Sequence, residues 1–564
     1  MLAEQTDRVR PAPGSAGRFG FLSSKVELLG FCLLVLLAIA LVWPIAKLLI
    51  ASLSSSQDLA AYYKMATSAL YQRALVNTFV IAGLVMVCCL LAAYPLAYVM
   101  ASVSPVTASL LTFIVLLPFW TSALVRTAAW MIILQRNGIA NTILLSTGLV
   151  DEPITFLYNL SGVIIGMSHV LLPFMVMPLY AAFRAMDGQL LQAAAGLGAR
   201  PGVLVRRIVL PLTAPGAAAG SLIVFMSAIG YYITPSLMGG PRQTMLAQMI
   251  SYHMQTRLDW AMASALSVVL LASTLAVFFV FQRFYGFDRL FTSDSGGTID
   301  PSVARMGGGY AWRGATVAAV IVAIFLIAPV LLVFPLSFSS SPFIQFPPAE
   351  WTTRWYARLA EDPKWLYAFW SSARVAILAV ALAIVFGTAA AILVSRLKGL
   401  LRGVLEILLI APLVIPPIII AVALYYQFAT SPLMGSHELL AFGHALLAMP
   451  FVYITVRASL RSFDPNLELA AMGLGASWWT TFRRIIFPAL VPGIAAGGVF
   501  AFITSFDDVV LALFLTNAHS RTLPRVIYEG ARDDIDPAII SVSALLILTS
   551  LVALAVSIAL RIRK

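Results

Sequence analysis

The chain has 564 residues, 61% of them apolar and 11% charged, with a mean hydropathy of +0.94 and a formal net charge of +12. Soluble domains do not carry that composition, and several continuous apolar runs approach or exceed the ~20 residues that cross a bilayer as a helix. A β-barrel is excluded because its segments alternate over about ten residues, so the expected fold class is an all-α polytopic membrane protein.

In chain order, residues 1–27 hold Arg8, Arg10, Arg18 and Lys25 among prolines and glycines. They lack the short apolar core and cleavage pattern of a signal peptide, and read as a cytoplasmic tail. Six apolar runs follow, at 28–52, 76–101, 107–134, 161–183, 215–237 and 262–282. A second six lie at 314–338, 371–395, 403–428, 439–460, 491–515 and 538–560. The stretch 284–312, rich in Gly, Ser and Asp, reads as a cytoplasmic linker between halves 28–283 and 313–564, whose core transmembrane domains are expected at about 75–283 and 370–560. The loop at 339–370 carries Trp351, Trp355 and Trp365 and reads as an interfacial segment. Cys32, Cys88 and Cys89 fall inside expected spans and the five histidines are scattered, which indicates neither a disulfide framework nor a metal site.

Orientation follows from the positive-inside rule. With both termini inside, the cytoplasmic segments hold 21 of the 36 basic residues and 9 of the 24 acidic ones, so the whole excess of +12 lies on that face. The basic balance is thus a topology signal that also meets anionic lipid, and no nucleic-acid partner is implied.

One block occurs twice: AMDGQLLQAAAGLGARPGVLVRRIVLPLTAPG at 185–216 and SFDPNLELAAMGLGASWWTTFRRIIFPALVPG at 462–493, identical at 14 of 32 positions. Six expected spans separate the copies, an even number, so both face one compartment, and the halves are parallel repeats about an axis along the membrane normal. In each copy a helix-favouring stretch (Leu190–Leu197, Leu467–Leu474) meets Gly198 or Gly475, which permits a sharp turn into a second short helix expected to end at Pro211 or Pro488. The small surface of Ala193, Ala194, Ala470 and Ala471 suits docking of a short helix into a partner's groove.

The block resembles the Glu-Ala-Ala motif of type-1 ABC importer permeases. The first copy matches at Gln192, Ala193, Ala194, Gly198, Ile208, Leu210 and Pro211, and the second at Leu469, Ala470, Ala471, Gly475, Ile485, Phe487 and Pro488. The acidic position is Gln192 in one and Leu469 in the other, with Glu468 one residue earlier. The resemblance implies that each block is a coupling helix seated on one of two separate ABC ATPase subunits. It assigns Asp187, Arg206, Arg207, Asp464, Arg483 and Arg484 to the same docking surfaces. Beyond the motif, LPFWTSALVRTAAWMIIL at 117–134 is similar to the first permease subunit of spermidine/putrescine importers. PLVIPPIIIAVALYY at 412–426 and SFDDVVLALFLTNAHSRTLP at 505–524 are similar to the second.

Asp507 and Asp508 stand inside the fifth expected span of the second half, where carboxylates are costly and carry a functional expectation. They could draw a cation along a pathway, or one could cap a helix or pair with Arg126, which lies between Trp120 and Trp130. The aligned first-half positions are Gly230 and Tyr231, so the pathway residues (Asp507, Asp508, Trp120, Arg126, Tyr231) make it chemically asymmetric. Pro118, Pro235, Pro412, Pro416 and Pro417 read as kinks or unwound turns.

No G-x-x-x-x-G-K-[ST] phosphate loop occurs, so this chain binds no cofactor of its own and ATP with Mg²⁺ is expected on a partner ATPase. The reading is a non-enzymatic permease of a bacterial inner-membrane ABC importer. It takes a small solute, by resemblance a polyamine, from a periplasmic or lipid-anchored binding protein. Another amine-bearing solute, ferric iron, or an ion-coupled secondary transporter lacking docking loops are the alternatives.

Overall fold

The computed structural model describes residues 28–53, 59–285, 309–340, 348, 350–533 and 538–549. The expected cytoplasmic tail, nearly all of the linker and the end of the last apolar run lie outside the described residues.

The first half contains α1 (Leu28–Leu53), α2 (Ala60–Thr67), α3 (Ala69–Ser102), α4 (Pro105–Leu116), α5 (Ala123–Leu134), α6 (Ile139–Ser146), α7 (Leu160–Arg184), α8 (Gly188–Gly196), α9 (Pro201–Leu204), α10 (Leu210–Ile229), α11 (Ile233–Met238), α12 (Leu246–Tyr252) and α13 (Trp260–Tyr285). The second contains α14 (Gly309–Leu336), α15 (Arg354–Glu361), α16 (Pro363–Arg396), α17 (Gly399–Val414), α18 (Pro417–Phe428), α19 (His437–Arg461), α20 (Pro465–Gly473), α21 (Trp478–Thr481), α22 (Phe487–Asp507), α23 (Val510–Leu515), α24 (Leu523–Asp533) and α25 (Ala538–Thr549). Among the described residues there is no strand, and nine helices are long and apolar enough to cross a membrane, or eleven if each of two bent pairs counts as one span. The twelfth expected run is described only over Ala538–Thr549.

Duplication reaches the ends of individual helices. α2, α3 and α5 recur as α15, α16 and α18 at a constant offset of 294 residues, and α7, α8, α9 and α11 recur as α19, α20, α21 and α23 at 277, while α12 and α24 share only their starts at that offset. The offset drops because the first half spends residues 135–159, including α6, where the second uses only 429–436.

Two of the expected spans are broken, close to Pro118 and at Pro416 and Pro417, where kinks or unwound turns are expected. The run at 107–134 bends by 96° at residues 120–122, and the run at 403–428 bends by 103° at residues 415–416. Proline explains both: Pro118 sits in a 3₁₀ turn at Leu117–Trp120, while Pro416 and Pro417 force the preceding backbone out of the helical region and restart the chain as α18 with proline at its first position. The fifth runs also stop early, at Ile229 and Asp507, and continue as the short α11 and α23. The structure corrects the expected stop at Pro211 and Pro488. The helix passes through a π-turn at Val205–Val209, or Phe482–Ile486, straight into α10 or α22. A proline cannot donate the bond to the carbonyl four residues back, and the wider turn accommodates that loss.

The chain forms two compact units, Met1–Pro44 with Ala376–Leu413 and His444–Ser505, and Ile45–Val375 with Val414–Gly443 and Phe506–Lys564. In the first unit, α1 packs on the turn between α16 and α17, where Gly30 lies against Leu397 and Leu401. Small residues bring α22 onto α19; a Cβ at Gly497 would stand 2.7 Å from the Val452 Cα. Glu406 accepts from Arg402 at 2.9 Å and pairs with Arg457 at 2.8 Å, and Arg457 also donates to the Tyr453 hydroxyl at 2.9 Å.

In the second unit, α3, α7 and α10 pack together, and α14 lies against α3, α4 and α5. Val330, Val333 and Leu336 of α14 share an apolar core with Leu117, Val125, Ala129, Ile132, Ile540 and Ile547. Trp312 meets Tyr98 edge-on, and His169 Nε2 lies 3.1 Å from the Leu326 carbonyl. Neither unit coincides with a sequence half, because the second half's first span is built into the first half. Of the three tryptophans expected at an interface, Trp351 is exposed, but Trp355 and Trp365 are buried, and the Trp355 indole donates to the Ser339 carbonyl at 2.7 Å.

Candidate functional site

The repeated blocks are built alike. Asp187 caps α8 by accepting from the Gln189 N–H at 2.9 Å, and Asp464 caps α20 by accepting from Asn466 N–H at the same distance. Gly198 and Gly475 then turn the chain with φ of +79° and +84°, a backbone region that side chains disfavour. Between cap and turn each block presents an apolar edge: Leu190 with Leu197, and Leu467 with Leu469, Met472 and Leu474, all exposed, Leu197 and Leu474 at 89% each. Gln192, Ala193, Gly198, Arg206, Arg207 and Pro211 are exposed, as are Ala470, Gly475, Arg483, Arg484 and Pro488; Ala194 is half-buried and Ala471 buried.

Glu468 does not stand free beside the motif. Arg396, at the end of α16, donates to it at 2.9 Å and ties α20 to its own bundle. The equivalent first-half positions are Leu191 and Ser102, both buried, so that block has no counterpart of this ion pair.

A second constellation forms in the larger unit, where the breaks of both halves meet in pairs. Gly230, at the end of α10, faces Pro416, ahead of α18: a Cβ on the glycine would stand 2.4 Å from the Pro416 Cβ. At the equivalent place in the repeat, Asp507 faces Ala123, whose N–H donates to both carboxylate oxygens at 3.1 and 3.2 Å. Arg126, only 6% exposed, and Tyr231 stand near enough to Asp507 to interact with it electrostatically. Thr127 and Thr234 share a hydrogen bond of 3.0 Å beside them. Asp508 accepts from the Leu511 N–H at 2.7 Å and caps α23. The structure thus brings Arg126, Tyr231 and Asp507 together; Trp120 ends the 3₁₀ turn of the same bend, and its side chain lies outside what is described.

The larger unit also holds a cavity of about 390 Å³ lined by residues around α13, α18, α23 and α24. Trp260 stacks on Tyr425 at 4.9 Å and 14°, and Arg525, Glu529 and Arg532 complete a mixed polar wall. Arg525 is fully engaged: it donates to Glu529 at 2.8 Å, and to the Thr516 carbonyl and hydroxyl at 2.8 and 2.6 Å. Nearby, burial lowers the His253 pKa, with the Asp259 carboxylate 3.6 Å away opposing it, so the ring is neutral near pH 7. Among the described residues no group of His, Cys, Asp and Glu could hold a metal ion.

Sequence reading missed the Gly230–Pro416 contact, the Trp260–Tyr425 stack and the Glu406–Arg457 pair. The last had a signal, a Glu and an Arg inside two expected spans. The first had one in the alignment of Ala123 with Pro417, which the change of offset hid.

Residues 93–286 and 383–563 both match the family described as binding-protein-dependent transport system inner membrane component. The spermidine/putrescine transport system permease protein PotB of Haemophilus influenzae is 37% identical over 214 residues, 38% of this chain and 75% of that protein. The permease protein PotC of the same kind of system in Escherichia coli is 31% identical over 231 residues, 40% of this chain and 86% of its own length. The probable ABC transporter permease protein y4fN of Sinorhizobium fredii is 28% identical over 381 residues, 66% of each chain. A solved bacterial alginate ABC transporter, in complex with an alginate pentasaccharide-bound periplasmic protein, is 18% identical, covers 48% of this chain and 95% of that one, and has a TM-score of 0.41. With two copies of the family's domain on one polypeptide, the chain belongs to the binding-protein-dependent transport system inner membrane components, as a fused multi-pass ABC importer permease and a transport component rather than an enzyme.

Proposed function

We propose that this chain is the permease of a polyamine importer, in which halves 28–283 and 313–564 enclose one pathway for a cation such as putrescine or spermidine. Two ABC ATPase subunits, which hold the ATP and Mg²⁺, seat on the two repeated blocks at the cytoplasmic face, where both termini also lie. A periplasmic binding protein delivers the cargo from the other side. Closure of the ATPases pushes on α8 and α20, and the π-turns that run unbroken into α10 and α22 carry that push to the breaks near Asp507, Asp508, Arg126, Tyr231 and Trp120. The polyamine relatives support the choice of cargo.

The observation that carries the reading is the pair of capped, glycine-terminated helices that each leave a leucine 89% exposed, an arrangement a free loop has no reason to keep twice. Its test is co-purification with the ATPase together with radiolabelled spermidine uptake. Leu197→Asp and Leu474→Asp, which touch no packed core, are expected to reduce ATPase recovery and uptake severalfold each. Full recovery of the ATPase by both variants, or no ATPase bound to the unmodified chain, would sink the docking assignment.

A further inference from the structure

Helix α5 begins directly after a 96° break inside an apolar run, with Ser122 and Ala123 half-buried at its start. Its own N-cap residue, Ser122, makes no capping bond through its side chain. The Ala123 N–H is satisfied instead from the other sequence half, by the Asp507 carboxylate at 3.1 and 3.2 Å. The repeat shows what this bond replaces. The residue equivalent to Ala123 is Pro417, which has no N–H to satisfy, and the residue equivalent to Asp507 is Gly230, which has no side chain and lets Pro416 approach. One contact between broken spans is therefore a proline against a glycine, and its twin an amide against a carboxylate.

Asp507 is also the last residue of α22, where the helix dipole disfavours a negative charge. Nothing in its own helix explains an acid there, whereas the amino end of α5 does.

We propose that Asp507 is a positioning residue that caps α5 across the two halves and holds the broken third span of the first half against the broken fifth span of the second. Transport requires it as a cap for the Ala123 amide rather than as a charge for the cargo. The proposal rests on the importer reading only for its transport readout.

The contrast between the repeats supplies the test. Asp507→Asn keeps a capping oxygen and removes the charge, because Asn caps as well as Asp. Asp507→Gly removes both. Ala123→Pro with Asp507→Gly rebuilds the other half's solution: proline suits the first helical position, and Ser122 already has the extended backbone (φ −55°, ψ 136°) that must precede it. Two quantities are measured for the full chain: the melting midpoint of the purified protein, which needs no cargo, and the KM and Vmax of spermidine uptake with the complete transport system. Asp507→Gly is expected to lower the midpoint and reduce Vmax by about fivefold or more, with KM unchanged, as loss of one cap would. Asp507→Asn should stay within about twofold of the unmodified chain, and the double variant should return to the Asn level. Comparison with Asn removes the separate effect of leaving Arg126 without its carboxylate. A double variant no better than Asp507→Gly in either readout, or an Asn variant as impaired as Gly, overturns the proposal. If the melting midpoints follow the expected order while the unmodified chain takes up no spermidine, the cap stands and the polyamine reading falls.

Discussion

At the scale of single residues, the two contacts between broken spans set how much change each will bear. Gly230→Ala places a methyl where 2.4 Å separates it from the Pro416 Cβ, and both neighbours are backbone-fixed, so relief needs movement of α10 or α18. Overpacking of this kind costs about 1–3 kcal/mol. The variant is expected to melt several degrees lower, whereas Gly202→Ala, with open space around the added methyl, should melt as the unmodified chain does. Equal melting by differential scanning fluorimetry would contradict the close approach. Residue roles were only partly legible beforehand. Asp508 three residues before Leu511 fits a local cap that spacing alone allows, but Asp507 caps a helix 384 residues away, and no periodicity reaches that far.

At the scale of elements, the blocks were legible because cap, glycine and proline each impose a local geometry, and Gly198 and Gly475 adopt the turn their identity requires. The π-turns were not legible: a proline after an apolar stretch reads as a stop, and only a continuing membrane helix makes it a widened turn. The way each block is fastened differs between halves, and this has a measurable consequence. Leu191 is buried, whereas its counterpart Glu468 in α20 pairs with Arg396, and the two side chains are one-fifth and one-third exposed. Partly exposed pairs contribute about 0.2–1 kcal/mol, so Glu468→Arg alone, which sets two cations together, should reduce ATPase recovery modestly. Adding Arg396→Glu should restore it, and high salt should weaken the unmodified contact only slightly. No recovery in the double variant, while the single variant is impaired, would mean that Glu468 contacts the ATPase directly.

At the scale of the whole molecule, two sets of six apolar runs were legible from composition, but the packing of the first spans was not, because an all-apolar helix such as α14 carries no stripe that says which bundle it joins. The structure answers with Val330, Val333 and Leu336 seated among Leu117, Val125, Ala129 and Ile132, and with Trp312 on Tyr98. In the other unit, α1 is seated at Leu397 and Leu401 of the second half. Each first span therefore packs against residues of the opposite half, although α14 also meets Ile540 and Ile547 of its own, and the linker need not supply the attachment. Breaking the chain within the linker at 297/298 and co-expressing the pieces 1–297 and 298–564 is expected to give a complex that co-purifies through a tag on either piece, and that takes up spermidine at a rate comparable to the intact chain. Deleting residues 298–337, which removes α14 but leaves the rest of the second half, should abolish recovery of the complex. The outcome that contradicts this packing is efficient assembly of the pieces without α14, for the buried faces of α3, α4 and α5 would then need another cover.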